Sequence, residues 1–178
     1  PKPMVEIGGR PILWHIMKSY AHYGYTQFVL CLGYKGDVIR DYFFNYEMRN
    51  CDVTIALGSR DLEIQDGLPE SGWKVTLAET GRETLTGGRI KRASRYLDDE
   101  HFLVTYGDGV ADVNIKELVS FHKNHGKLGT VTAVRPSSPF GELAIYDGMV
   151  RVFQEKPQVH EGLNNGGFIV FHRKVLDL

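Results

Sequence analysis

The stretch PILWHIMKSYAHYGYTQFVLCLG, residues 11–33, decides the fold class. Its first half puts Ile12, Ile16 and Tyr20 on one face at helical spacing, with Leu13 and Met17 beside them. It begins on a proline suited to a first helical position and runs out at Gly24. Its second half changes period. QFVLCL is an uninterrupted apolar run of strand length that stops at Gly33, the pattern of a parallel strand covered on both faces. A helix feeding such a strand is the building unit of an α/β domain.

Working outward, the same alternation continues. Asp37 is placed to cap a second helix, in which Val38, Ile39, Tyr42, Phe43 and Tyr46 form an apolar stripe. DVTIAL (52–57) and KVTLAET (74–80) read as strands separated by a polar loop from Gly58 to Gly72. IKRASRYL (90–97) reads as a short amphipathic helix, HFLVTY (101–106) as a buried strand, IKELVSFHKNHG (115–126) as a helix ending at Gly126, and GTVTAV (129–134) as a strand. Asp147-Gly148 between ELAIY and MVRVFQEK is a hairpin signal, and GFIVFH (167–172) closes the series. The expectation is one α/β domain over residues 1–178, with a mixed, mainly parallel sheet flanked by helices and some antiparallel additions at one end. The last residues, RKVLDL, read like a helix just starting, so the sequence reads as a piece of a longer chain.

Composition narrows the function classes. With 178 residues, 42% of them hydrophobic, the chain suits one domain with a hydrophobic core, and 24% charged residues is an ordinary globular value. A formal net charge of -1 gives no electrostatic footprint for nucleic acid or an acidic membrane. There is no long apolar run and no signal-peptide pattern. Cys31 and Cys51 lack metal-ligand spacing and read as reduced thiols of a cytoplasmic protein. No nucleophile elbow, reactive-cysteine setting or dinucleotide-binding glycine pattern stands out. His122 and His125 lie one turn apart at a helix end, where the dipole favours a cation, and without a third ligand they do not make a zinc site.

In parallel sheets ligands bind beyond the carboxyl ends of the strands. FLVTYGDGVAD runs a buried strand into Gly107-Asp108-Gly109, exposing a carboxylate suited to Mg²⁺, although an Asp-Gly turn gives the same letters. In TGRETLTGGRIKR, Gly87 and Gly88 precede a helix and offer amides to an anion, with Thr84 and Arg89 near; Lys91, Arg92 and Arg95 read as a solvated face. Glu155 and Lys156 in VFQEKP suit sugar hydroxyls and a phosphate, or form a surface ion pair. Asn165 and Gly166 in NNGGF permit a close backbone approach to a ligand, or a plain turn. At the start, Pro1 and Pro3 bracket Lys2, which predicts a stiff, extended mount for a cation.

PKPM, GGRPILWHIM, TGRETLTGGRIKR, TYGDGVAD, FQEKP and NNGGF, in this order across nearly the whole chain, resemble the sugar-phosphate nucleotidylyltransferases. The T-G-G-R-x-K-R and Y-G-D-G-V runs are similar to the cytidylyl branch in particular. The resemblance implies a Rossmann-like nucleotidyltransferase fold of the GT-A kind. It also implies Mg²⁺-dependent transfer of a cytidylyl group from CTP to glucose 1-phosphate, giving CDP-glucose and pyrophosphate. Carried over residue by residue, Lys2 and Asp108 would be catalytic, with Asp108 on the metal. Lys2, Thr84, Arg89 and Gly107 would meet the nucleotide, and Glu155, Lys156, Asn165 and Gly166 the sugar phosphate. The resemblance further implies a homo-oligomer feeding nucleotide-sugar and polysaccharide synthesis. It implies too that a glycine-rich phosphate loop precedes Pro1 and a second metal-binding aspartate follows Leu178. A thymidylyl, uridylyl or guanylyl enzyme on another sugar 1-phosphate, and a non-catalytic nucleotide-sugar-binding subunit, are the competing readings.

Overall fold

The first apolar stripe forms its helix where the spacing puts it. In a computed structural model, which describes residues 1–65, 67–136, 142–154 and 162–178, Glu6–Ile7 (β1) and Arg10–Pro11 (β2) form a small antiparallel turn that delivers the chain into helix Ile12–His22 (α1). Leu13 and Met17 on α1 pack with Leu32 and Ile39 in one core cluster, while Ile16 and Tyr20 pack with Ile115 and Phe168 in another. One helix thus supplies part of both cores. The Tyr20 ring stacks on Phe168, centroids 5.9 Å apart, and burial pushes its phenol up to about 12.

QFVLCL is a strand over its whole length, Gln27–Leu32 (β3). Helix Gly36–Phe44 (α2) follows, and its cap corrects the expectation for Asp37. The cap residue is Lys35, in left-handed conformation at φ 53°, and Asp37 lies in the first turn, where its charge still suits the helix dipole. The expected stripe is also cut at Asn45, so that Tyr46 begins a separate short helix, Tyr46–Asn50 (α3).

Val53–Ala56 (β4) and Asp61–Ile64 (β5) pair as an antiparallel hairpin. The second of these lies inside the stretch expected to be a loop: DLEI alternates at strand period, but over only four residues set among Gly58, Ser59, Gly67 and Pro69. Further along, buried Glu70 takes the ammonium of Lys18 at 3.0 Å and the Tyr46 hydroxyl at 3.3 Å, fastening that stretch to α1. Lys74–Glu79 (β6) runs parallel to β3 in full register, from Gln27 opposite Lys74 to Leu32 opposite Glu79.

Helix Thr86–Ala93 (α4) begins earlier than expected, so Gly87 and Gly88 form its first turn rather than precede it. Their N–H groups still belong to the set that no helical carbonyl satisfies. His101–Val104 (β7), helix Ile115–His125 (α5), Gly129–Val134 (β8), the hairpin Glu142–Tyr146 (β9) with Met149–Gln154 (β10), and Asn164–His172 (β11) complete the order. Strand β11 lies between β7 and β8, antiparallel to both, with a bulge between Asn165 and Ile169.

The fold is α/β as expected. Among the described residues its parallel part is the β3–β6 pair, and the antiparallel part is larger than apolar runs alone indicate. The period of a strand buried on both faces does not encode the direction of its neighbour. No helix among the described residues is long and apolar enough to cross a membrane.

The histidines at the end of α5 correct a further expectation. His122 is almost fully buried, and burial, followed by His101, His125, His172 and Lys123, holds its pKa below the ordinary value, so it is neutral rather than a helix-end cation. The backbone sets the direction of its hydrogen bonds. Lys127 N–H donates to His125 Nδ1 at 2.9 Å, leaving His125 Nε2–H to donate to Thr130 Oγ1 at 2.6 Å. The Thr130 hydroxyl donates to His122 Nδ1 at 2.8 Å, and His122 Nε2–H to His101 Nδ1 at 3.2 Å. Glu100 closes the series, 3.8 Å from His101 and 3.3 Å from His172. No metal-binding group of three or more His, Cys, Asp or Glu exists among the described residues.

Candidate active site

Lys2 is mounted, but not as an extended arm. Lys2–Met4 is one turn of 3₁₀ helix, closed by Met4 N–H to Pro1 O at 2.9 Å and Val5 N–H to Lys2 O at 3.1 Å. The two prolines restrict the backbone as expected, and the turn bonds bend it. Met4 packs into the core against the Leu13 and Met17 cluster. Pro3 lies on Gly107, so closely that a Cβ there would stand 3.1 Å from Pro3 Cγ. The turn and these two contacts bring the Lys2 ammonium to 3.9 Å from the Asp108 carboxylate.

Asp108 stands just beyond β7, at the carboxyl end of a strand, with its side chain 41% exposed and open space around Gly109. A single accessible carboxylate suits Mg²⁺, which is held by one or two carboxylates together with phosphate oxygens and water. The antiparallel course of β11 brings its start alongside the end of β7. There Asn165 donates from Nδ2 to the Tyr106 hydroxyl at 3.2 Å and accepts the Gly167 N–H on Oδ1 at 2.9 Å. Gly166 admits no side chain, because a Cβ would stand 3.0 Å from the Thr132 carbonyl oxygen. Lys2, Gly107, Asp108, Asn165 and Gly166 therefore converge. Glu155 and Lys156 lie outside the described residues.

A second group gathers at the carboxyl ends of the parallel pair. Arg89 donates from Nη1 to Leu32 O at 2.9 Å and to Thr80 Oγ1 at 2.8 Å, and from Nη2 to Arg82 O at 3.1 Å. Its guanidinium is thus occupied by protein acceptors rather than held out toward a ligand. Arg92 is not part of a solvated face, as the sequence had suggested: it donates to Thr80 O at 2.6 Å and Thr84 Oγ1 at 2.8 Å. Helical spacing places Arg89 and Arg92 on one face, but only the path of the Thr80–Leu85 loop brings it acceptors for both, at Thr80 Oγ1 and Arg82 O for one and Thr80 O and Thr84 Oγ1 for the other. Tyr106 is the supporting residue that sequence reading passed over, and Arg92 the one it placed on the solvated face. For Arg92 the three-residue spacing from Arg89 was the available signal.

The Nucleotidyl transferase family matches this chain over residues 1–178. The chain belongs to that family and is a nucleotidyltransferase. Among its relatives, the glucose-1-phosphate cytidylyltransferases of Salmonella typhi and Salmonella typhimurium are each 52% identical to it over 179 residues, spanning all of this chain and 69% of theirs. The crystal structure of HddC from Yersinia pseudotuberculosis has the same fold, with a TM-score of 0.63 at 23% identity over 99% of this chain and 69% of that one.

Proposed function

We propose that the protein transfers a cytidylyl group from CTP to glucose 1-phosphate, releasing pyrophosphate and forming CDP-glucose. The observation that carries the reading is the meeting of Lys2 and Asp108 at the end of β7, 3.9 Å apart. The choice of base and sugar is supported by the 52% identity to enzymes of that name. A phosphate oxygen of the sugar phosphate forms a bond to the α-phosphorus of CTP while the bond from that phosphorus to the β-phosphate bridging oxygen breaks. The attacking oxygen is already anionic, so no strong general base is needed. What the chain supplies is positioning of two repelling anions and charge stabilisation.

Lys2 would set its ammonium against the reacting phosphates, with Pro3 and Met4 fixing where it stands. Asp108 is the carboxylate that would hold Mg²⁺, which when bound draws charge from phosphate oxygens. Gly107 would let the nucleotide approach the backbone, and Thr84 and Arg89 would face or frame it. Asn165 and Gly166, with Glu155 and Lys156, would hold the sugar phosphate. A homo-oligomer and a cytoplasmic setting belong to the same reading.

The test is pyrophosphate release with Mg²⁺ and glucose 1-phosphate, with CTP, UTP, dTTP and GTP in separate reactions. Release with CTP well above the other three is the expected result. A preference for another nucleotide would overturn the base assignment, and silence in all four from folded protein would overturn the choice of sugar phosphate.

A further inference from the structure

The carbonyl of Leu32, at the end of β3, accepts three donors: Thr80 N–H at 3.1 Å, Thr80 Oγ1–H at 2.7 Å and Arg89 Nη1–H at 2.9 Å. Thr80, buried to 1% exposure, is the hinge of this arrangement, and its own carbonyl is taken by Arg92 Nη1 at 2.6 Å. The same Arg92 nitrogen also reaches Thr84 Oγ1 at 2.8 Å. The loop is shaped around the two guanidinium groups. A Cβ on Gly33 would stand 2.5 Å from Arg89 Nη1, and one on Gly81, whose φ is +91°, would stand 2.5 Å from Arg92 Nη1. Two arginines one turn apart on α4 thus clamp residues 80–84 against the carboxyl end of the parallel pair.

The polarity of the Arg92–Thr84 bond has a chemical consequence. A guanidinium has no acceptor, so Thr84 Oγ1 receives that hydrogen bond, and the hydroxyl's single proton is left to point elsewhere. We propose that Arg92 is a positioning residue for the nucleotide: without touching it, Arg92 fixes the Thr84 hydroxyl as a donor aimed at an acceptor of the bound nucleotide, a pyrimidine carbonyl or a phosphate oxygen. This rests on the nucleotide-transfer reading, and it adds a residue and a direction of hydrogen bonding to it.

The experiment is a double-mutant cycle of Arg92→Met and Thr84→Val, with Arg92→Lys as the conservative variant and Arg95→Met, whose guanidinium lies over the Tyr96 ring, as control. Initial rates are taken with both substrates varied, using whichever nucleotide the parent protein turns over fastest, so that a wrong base assignment shows in the parent and not in the variants. Losing a charge-assisted hydrogen bond predicts a nucleotide KM raised about tenfold or more in Arg92→Met, with the sugar-phosphate KM nearly unchanged. Arg92→Lys recovers part of the loss. The double variant is no worse than Thr84→Val alone, because the two act through one hydroxyl. If Arg92→Met fails to fold, Arg92→Lys alone is compared with the control, and a rise in nucleotide KM above that of Arg95→Met is expected. Equal rises in both KM values, an unchanged nucleotide KM, effects that multiply in the double variant, or an Arg92→Lys indistinguishable from the control would each overturn the proposal.

Discussion

Lys2 and Asp108 meet in solvent, with side chains 86% and 41% exposed. Attraction between groups so placed contributes little to folding, so the juxtaposition is made by what surrounds it: Pro3 resting on Gly107 and Met4, half-buried, against the core. Function and stability should separate at this point. Asp108→Ala is expected to lower turnover by about a hundredfold or more, a typical loss when one electrostatic stabiliser of a transition state is removed, while the melting temperature stays within measurement error. Near-normal activity in that variant would remove Asp108 from the metal site. Asp108 was legible in the sequence because a buried strand that runs straight into Gly-Asp-Gly leaves a carboxylate at the mouth of the sheet. Arg92 was not, because its role depends on where the loop carries Thr80 and Thr84, and a helical wheel holds no information about that loop.

At the scale of elements, legibility followed the strength of the period. Helices α1 and α5 and strands β3, β4, β6, β7 and β8 lie where their apolar patterns put them, whereas β5 is a short, mostly exposed strand that finds its ladder on β4. Helix α5 also carries local signals at both ends. Asn114 accepts the Glu117 N–H at 3.2 Å and returns a bond to the Glu117 carboxylate at 2.9 Å, while Gly126 stands at φ 64° beyond the last turn. Replacing Asn114 by alanine should destabilise the protein by about 1 kcal/mol, the usual worth of such a cap, read as a lower urea midpoint at unchanged slope. Nucleotide KM should not move; if it does, the start of α5 belongs to the binding site and not only to the scaffold.

The whole molecule should respond to acid through His122. Its folded pKa lies below the ordinary histidine value, so between that value and the unfolded pKa of about 6.5 the unfolded chain binds more protons than the folded one. Stability from this group is complete above about pH 6.5 and declines as pH falls, with a slope of at most about 1.4 kcal/mol per pH unit for one proton. After burial, the neighbouring His101, His125, His172 and Lys123 all oppose a charge on His122. Urea midpoints measured from pH 7.5 down to 5.5 should therefore slope less in His122→Gln than in the parent. Equal slopes would show that another group carries the acid response. None of this was visible in the sequence, where His122 and His125 read as helix-end cations; the residues that meet His122 come from β7, β8 and β11.

The contact of Pro3 with Gly107 joins the start of the described chain to the far end of β7. Closing so long a loop is entropically unfavourable until other contacts have drawn its ends together. The turn that carries the proline is tied into the same packing, since Met4 rests on the cluster to which α1 contributes Leu13 and Met17. Lysine and aspartate are neighbours only through these contacts, so a chain in which they have opened owns both residues and holds no pair.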